Sequence, residues 1–376
     1  MLFISGLCVR CELLNLETGS PCIRNEIPGQ CVNIYECMSS YLDFQNKDYA
    51  PIFSFEGKEP IICCTDCELN DTRNMIINPS TGIVYKTGRK AEDKCNEYLY
   101  RLNYFCKDVR QMEMVRNYNK EKNCNEIAIG IYYAAYGGKD AQREQFPHMA
   151  LLGYGADTQS AQWFCGGSVI SERFILTAGH CLSSPTIGPV KYVGLGILKR
   201  SDPNELWQIY NVRRRIPHPQ YKSPSRYHDI ALLETDTEIS FSRAVLPICL
   251  HTTEEAEDYL LATGWGYLGP KRGLADTLQT LNVGTFEEAE CSKLYPSHRN
   301  LLNGYNHTTQ MCYGDKNEPK DTCEGDSGGP LQTQDICNYY VAGVTSFGRQ
   351  CGTSASSGVY TRVNHYLPWI ESVVWP

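Results

Sequence analysis

The chain has 376 residues, 42% of them hydrophobic and 21% charged, and a formal net charge of −8. That composition supports a large packed domain with smaller parts beside it and excludes wholesale disorder. The acidic balance argues against nucleic acid or an anionic membrane surface as a partner, and no apolar run is long enough to span a bilayer.

Nineteen cysteines set the compartment. A reducing cytosol gives no reason to keep so many thiols, so an oxidising, extracellular setting is expected. Zinc is the competing reading, because Cys8/Cys11 and Cys64/Cys67 are each separated by two residues. The two pairs stand roughly fifty residues apart, however, where zinc sites usually show about 12–20. Disulfides are therefore expected and no metal. The odd count leaves at least one cysteine unpaired or bridged to another chain.

In chain order, "MLFISGLCVR" offers eight apolar or small residues after Met1 before Arg10 interrupts, and residues 1–19 read as a shortened secretory leader. Residues 20–64 are cysteine-rich and end in Cys63-Cys64, a segment too short to hold together without staples. Residues 65–134 read as a linker or propeptide, helical around "AEDKCNEYLYRLNYF". From residue 135 to 376, runs such as "HMALLGY", "FILTA", "YVGLGI", "DIALLE" and "YYVAGVTSF" alternate with Gly, Pro and Asp turns, which points to an all-β barrel domain. The tail "YLPWIESVVWP" has helical spacing. The run Arg213-Arg214-Arg215 reads as a solvated strand, with a substrate-docking patch as the alternative.

Three strings carry chemistry. "TAGHC" places His180 after an apolar strand, "HDIALLE" puts Asp229 at the head of another, and "DTCEGDSGGP" puts Ser327 in a glycine-rich loop. Acyl transfer by serine needs these three residue types. An imidazole takes the hydroxyl proton, and a carboxylate fixes the imidazole tautomer and stabilises the cation that forms. Glycines let backbone N–H groups approach a developing oxyanion, where side chains would obstruct.

These strings, with "ATGWG" at 262–266 and "CGGSVI" at 165–170, resemble the trypsin/chymotrypsin family of serine proteases. The resemblance implies two six-stranded antiparallel β-barrels with a C-terminal helix. It makes Ser327 the nucleophile, His180 the general base and acid, Asp229 the orienting carboxylate, and the N–H groups of Gly325 and Ser327 the oxyanion hole. Gly179 stands where the family usually has Ala. Asp321 matches the base of the primary specificity pocket, with Gly348 and Gly358 as its walls, which implies cleavage after Arg or Lys. Implied disulfides are Cys165–Cys181, Cys291–Cys312 and Cys323–Cys351. Cys249 matches a propeptide tether, with Cys124 as first-choice partner and Cys95 or Cys106 as second. Cys337 lacks its usual partner, because Leu260 occupies that place.

The amino-terminal segment resembles the clip domain that precedes arthropod serine proteases, through Cys22, Cys31, Cys37, Cys63, Cys64 and "FEGKEPIICC". A sixth cysteine is replaced by Phe53, which leaves Cys31 without a partner; Cys8, Cys11 and Cys67 are the alternatives. The resemblance to insect clip proteases implies a secreted zymogen in a developmental or immune cascade. Its implied partners are protein substrates such as a downstream protease zymogen, an activating protease and serpin-type inhibitors. In such zymogens a cut exposes a terminus that pairs with the Asp before the nucleophile, here Asp326. Aligning "YGGKDA" makes that terminus Ala135, behind Ala134 rather than a basic residue, and the nearest upstream basic residue is Lys122. Trypsin-like activators are therefore expected to fail on this chain. A catalytically silent scaffold protein and a misjoined gene model are the alternatives. Asn70 and Asn306 head glycosylation sequons. No cofactor is expected, and the acidic loop Asp202–Glu205 falls short of a calcium-ligand pattern.

Overall fold

The structure, a computed structural model, describes residues 20–24, 27–34, 37, 52–56, 59–64, 75–78, 82–85, 87–102, 139–253, 257–268, 273–316, 325–334, 338–348 and 356–376. The chain divides into two compact units, one comprising Met1–Ile83 and Asp108–Tyr133 and the other Val84–Lys107 and Ala134–Pro376.

In the first unit, β1 (Pro21–Arg24), β2 (Ile27–Asn33), β3 (Ile52–Glu56) and β4 (Glu59–Cys64) form an antiparallel sheet in the order β1-β2-β4-β3. Among the described residues, its apolar interior is Val32, Ile34, Ile61, Ile62 and the cysteines. So small a core needs cross-links, and bridges Cys22–Cys63 and Cys37–Cys64 supply them. Cys31 sits opposite Cys63, buried and without a bridge, and burial raises its thiol pKa.

The second unit begins with α1 (Lys90–Arg101), inside the stretch read as linker. Ala91, Cys95 and Tyr98 are buried, and their i, i+4, i+7 spacing forms one face. Glu92 and Asp93 occupy the first turn, where the helix dipole favours negative charge. Cys95 is bonded to Cys249. This corrects the expected Cys124–Cys249 pairing: Cys95 lies on the apolar stripe that faces inward. The Ala91 N–H donates to Glu371 (2.9 Å) and the Tyr98 hydroxyl to Glu172 (2.6 Å), so the helix is fixed at several points besides the bridge.

Among the described residues, twelve of the strands that follow form two barrels. The first contains β5 (Met149–Tyr154), β6 (Gln162–Val169), β7 (Phe174–Thr177), β8 (Gly188–Leu195), β9 (Gln208–Pro217) and β10 (Ala231–Thr235). They pair antiparallel in the order β5-β6-β7-β10-β9-β8 and close through β8–β5. The second contains β11 (Tyr259–Gly264), β12 (Gln279–Thr285), β13 (Gln310–Asp315), β14 (Pro330–Gln334), β15 (Tyr339–Gly348) and β16 (Ser356–Arg362). Their order, β11-β12-β13-β16-β15-β14 closing through β14–β11, repeats the first. The expected fold class is the observed one. α2 (Glu288–Leu294) lies between β12 and β13 and holds Cys291, bonded to Cys312.

β5, β7 and β10 are buried along their whole length, because one face fills the barrel and the other is covered. β9 alternates until Arg213–Arg215, which are exposed. Arg213 and Arg214 pair with Glu234 and Arg215 donates to the Val190 carbonyl, so the run is a solvated strand with local partners. Phe146, Met149, Leu151, Trp265 and Leu278 join the barrels in one cluster, and the Trp265 indole donates to the Leu198 carbonyl at 2.9 Å. The tail forms α3 (Leu367–Val374), with Pro368 in its first turn where a missing N–H costs nothing. Leu367, Ile370 and Val374 seal it to the core that also contains Val341 and Val344.

Candidate active site

β7 ends at Thr177, and a short 3-10 turn, Gly179–Leu182, carries His180 just beyond it. β10 begins at Ala231, paired with Thr177, so Asp229 comes level with His180. The His180 ring Nδ1 stands 2.8 Å from Asp229 Oδ2, and the His180 backbone N–H donates to Oδ1 at 2.8 Å. Two residues from the other barrel brace the same aspartate. The Ser346 hydroxyl of β15 donates to its carboxylate and the Thr361 hydroxyl of β16 donates to its backbone carbonyl (2.8 Å). The Asp229 side chain is wholly enclosed, while that of His180 keeps 27% of its surface exposed. Burial alone would raise the Asp229 pKa. The charge and hydrogen bonds of His180 and the Ser346 hydroxyl outweigh it and hold the carboxyl below its ordinary value. The imidazole thus opens to solvent on one side and rests on a fixed carboxylate on the other.

Ser327 lies in the loop leading into β14. Its carbonyl accepts from the Gly166 N–H of β6 (2.7 Å) and stands 3.5 Å from Cys181 Sγ, beside His180. Gly328 explains why the loop needs glycine. Its φ is +79°, and a Cβ there would stand 2.2 Å from Thr177 Oγ1 and 2.5 Å from the Gly166 carbonyl. Gly325 has φ +99°, and a Cβ there would lie 2.9 Å from Gly266 Cα. The Ser327 loop is therefore pressed against both barrels by backbone contact. Cys165 and Cys181, bonded to each other, also lie close to His180, but bridged sulfurs offer a metal no thiolate.

The Asp326 carboxylate lies against Gly264 and Gly266, and its Oδ1 accepts the Gly266 N–H at 2.8 Å. Gly348 and Gly358 pair directly across β15 and β16. Asp321, Cys323, Cys351, Cys337, Cys106, Cys124, Ala134, Ala135 and Asn70 lie outside the described residues. Asn306 is exposed, and its side-chain oxygen accepts the Thr308 N–H at 3.0 Å. Asp202 is spent internally: Oδ1 accepts from Arg143 (2.7 Å) and Oδ2 from the N–H groups of Leu198 and Lys199 (2.8 and 2.9 Å). A guanidinium and two amides leave this carboxylate without a free oxygen for calcium.

Sequence reading missed Ser346, Thr361 and Tyr221. Gly179, the departure from the usual Ala, touches the last of these. A Cβ at Gly179 would stand 2.8 Å from the Tyr221 ring, so the small residue lets that ring close under the His180 turn. The unusual glycine was the available signal.

A family model described as Trypsin matches residues 135–370. The chain is similar to Serine protease snk of Drosophila melanogaster, 30% identical over 359 residues that cover 92% of this chain and 76% of that protein. It is similar to CLIP domain-containing serine protease C9 of Anopheles gambiae, 37% identical over 251 residues, 63% of this chain and 67% of that one. Venom serine protease Bi-VSP of Bombus ignitus is 28% identical over 372 residues, 94% of this chain and 92% of its own length.

Proposed function

Because the chain belongs to the trypsin family of serine proteases, in its arthropod clip-domain branch, we propose that it is a secreted endopeptidase zymogen that cleaves after Arg or Lys in an extracellular cascade. The observation that carries the reading is the enclosed Asp229 holding His180 beside the Ser327 loop. In this mechanism His180 takes the Ser327 proton as the hydroxyl attacks a peptide carbonyl. The cation that forms is stabilised by Asp229, and the N–H groups of Gly325 and Ser327 receive the oxyanion. His180 then passes the proton to the leaving amine, and water, activated by the same imidazole, frees the acyl group. The chemistry needs no cofactor.

Arg or Lys specificity rests on Asp321, with the directly opposed Gly348 and Gly358 leaving room for a long side chain. Secretion is supported by the disulfides, and no helix among the described residues is long and apolar enough to cross a membrane. The exposed Asn306 turn suits glycosylation. A downstream zymogen, an activating protease and serpin-type inhibitors are the partners of such an enzyme. Activation would require a new terminus at Ala135 to reach Asp326. Ala134 offers a trypsin-like activator no charge, and this favours a second reading, a non-activated homologue that scaffolds cascade proteins.

The test is hydrolysis of Arg- and Lys-terminated reporters by the purified chain after incubation with trypsin, then quenching. It is repeated with Ala134→Arg plus Ala135→Ile, and with Ser327→Ala added. Activity in the double variant that disappears with Ser327→Ala supports the protease. Silence of a correctly cut double variant supports the scaffold.

A further inference from the structure

β14 begins at Pro330, opposite Val344 of β15. Just beyond, Thr345 is tied to the Ser327 loop: its N–H donates to Gly329 (2.9 Å) and its carbonyl accepts from Gly328 (2.8 Å). The next residues, Ser346–Gly348, have only β16 as strand partner among the described residues, through Phe347↔Val359 and Gly348↔Gly358. Among the described residues no strand covers the opposite side of this segment, which leaves it a strand edge. It starts at Ser346, whose hydroxyl touches Asp229. Such an edge takes up an extended peptide as an added strand. A peptide added to this edge with its reacting bond at Ser327 would carry the residues before that bond along Ser346–Gly348.

The side chains beside this edge have a definite character. Phe347 is half-buried, with Tyr295 at its edge (ring centroids 5.6 Å, 88°) and the Arg226 guanidinium carbon 5.4 Å from its ring centroid. The Arg226 N–H donates to the Asn300 carbonyl (2.8 Å), and its own carbonyl accepts from Gln310 (3.0 Å), which fixes the backbone from which the cation projects. Arg299 is exposed next to that same Asn300. Neither arginine makes an ion pair among the described residues, although the whole chain carries a net charge of −8. Arg143, Arg173, Arg213, Arg214 and Arg243 each have a carboxylate partner, and Arg215 a backbone carbonyl.

We propose that Arg226, held over Phe347 beside the open strand edge, is a specificity determinant that selects substrates carrying Asp or Glu two to four residues before the cleaved bond. The proposal deepens the proteolytic reading above and rests on it. The recognised class is an extended segment with an acidic residue shortly before the basic one. A carboxylate placed there gives Arg226 the partner it lacks and stays out of the reacting centre.

The test uses the full chain carrying Ala134→Arg and Ala135→Ile, cut before residue 135. Arg-terminated reporter peptides present Asp, Asn or Lys in turn at the second, third and fourth residue before the bond. At low salt, kcat/KM is expected to favour Asp over Lys by roughly five- to tenfold at one of those positions, the size of a solvent-accessible charge pair set against a repulsion. The ratio should fall as salt rises, approach one in Arg226→Gln and invert in Arg226→Glu, with melting temperature checked in each variant. Equal cleavage of Asp and Lys peptides, or a preference that survives Arg226→Gln, overturns the proposal and leaves the protease reading standing. Hydrolysis of none of the peptides overturns both.

Discussion

The two barrels share one strand order and carry different loads. The first presents charge: His180 and Asp229 sit at the adjoining ends of β7 and β10, joined by two 2.8 Å contacts. The second presents backbone: Ser327 sits in a loop where positive φ and close approach demand glycine on either side. Each also holds the other's part. Barrel two braces Asp229 through Ser346 and Thr361, and barrel one braces Ser327 through Gly166. A repeated scaffold therefore divides acyl transfer into an electrostatic half and a backbone half, and neither half is complete without its neighbour.

The sharpest way to break the comparison is to remove charge while keeping shape. Asp229→Asn should leave the fold nearly intact and lower kcat in the cut enzyme by about 10⁴-fold, because the amide can no longer fix the imidazole tautomer or stabilise its cation. Single-turnover and steady-state kinetics on an Arg reporter measure this. A loss below about tenfold would mean the first barrel does not supply the electrostatic half.

The matching change in the second barrel is Gly328→Ala. The new Cβ meets the Gly166 carbonyl, which is backbone and cannot swing aside, and the φ of +79° is strained for alanine. Together these should cost roughly 2–5 kcal/mol, lowering the melting temperature by roughly 2–4 °C per kcal/mol in a domain of this size. Unlike Asp229→Asn, this variant should lose stability and activity together. A stable, fully active Gly328→Ala would show that the loop is not held by close contact.

The cross-braces predict a smaller, graded effect. Ser346→Ala removes a hydroxyl from the buried Asp229 carboxylate, worth about 1.5–3 kcal/mol for a hydrogen bond to a charged group. Part of that should appear as a roughly tenfold fall in kcat. The Asp229 carboxyl should also lose part of what holds its pKa down, seen as a rise in the lower limb of the pH–rate profile. Thr361→Val removes a donor from a neutral carbonyl instead, so it should cost stability with little change in that limb. If the two variants behave alike, bracing of the carboxylate is not special.

Much of this was legible from sequence, for a physical reason. His180, Asp229 and Ser327 each sit in a local string whose glycines and apolar neighbours are set by contacts within a few residues. The barrels could be read from short apolar runs broken by turns. Partners far along the chain could not: Ser346 and Thr361 lie 117 and 132 residues from Asp229, with no local mark on either. The Cys95–Cys249 bridge spans 154 residues. Cys124 stood as first choice and Cys95 as second, yet helical periodicity places Cys95 on the buried stripe with Ala91 and Tyr98. Strand runs such as "FILT" are buried on both faces, so apolar character announced a strand without revealing which side faced the barrel interior.

The smallest predicted effect concerns a histidine cluster at the margin of the charged half. His228 immediately precedes Asp229, and its Nδ1 lies 3.0 Å from the Tyr366 hydroxyl. His218 lies beside it, with ring centroids 5.4 Å apart, and also meets the edges of Tyr366 and Trp369. Burial first, then the nearby His228 and His365, push the His218 pKa down to about 4 from 6.5, and burial and His365 lower that of His228. A depressed histidine pKa means the unfolded chain binds more protons in that range. The stability contributed by neutral His218 is therefore fully present above about pH 6.5 and is lost progressively as pH falls toward 4. Partial exposure screens the effect, so a modest slope is expected. Melting temperatures of the Ser327→Ala chain, chosen to prevent self-digestion, should fall between pH 7 and pH 4.5. The same fall should be shallower when His218→Gln is added. Equal slopes would show that the cluster does not couple to folding, and the charged half would then owe its acid sensitivity to the carboxylates alone, Asp229 first among them.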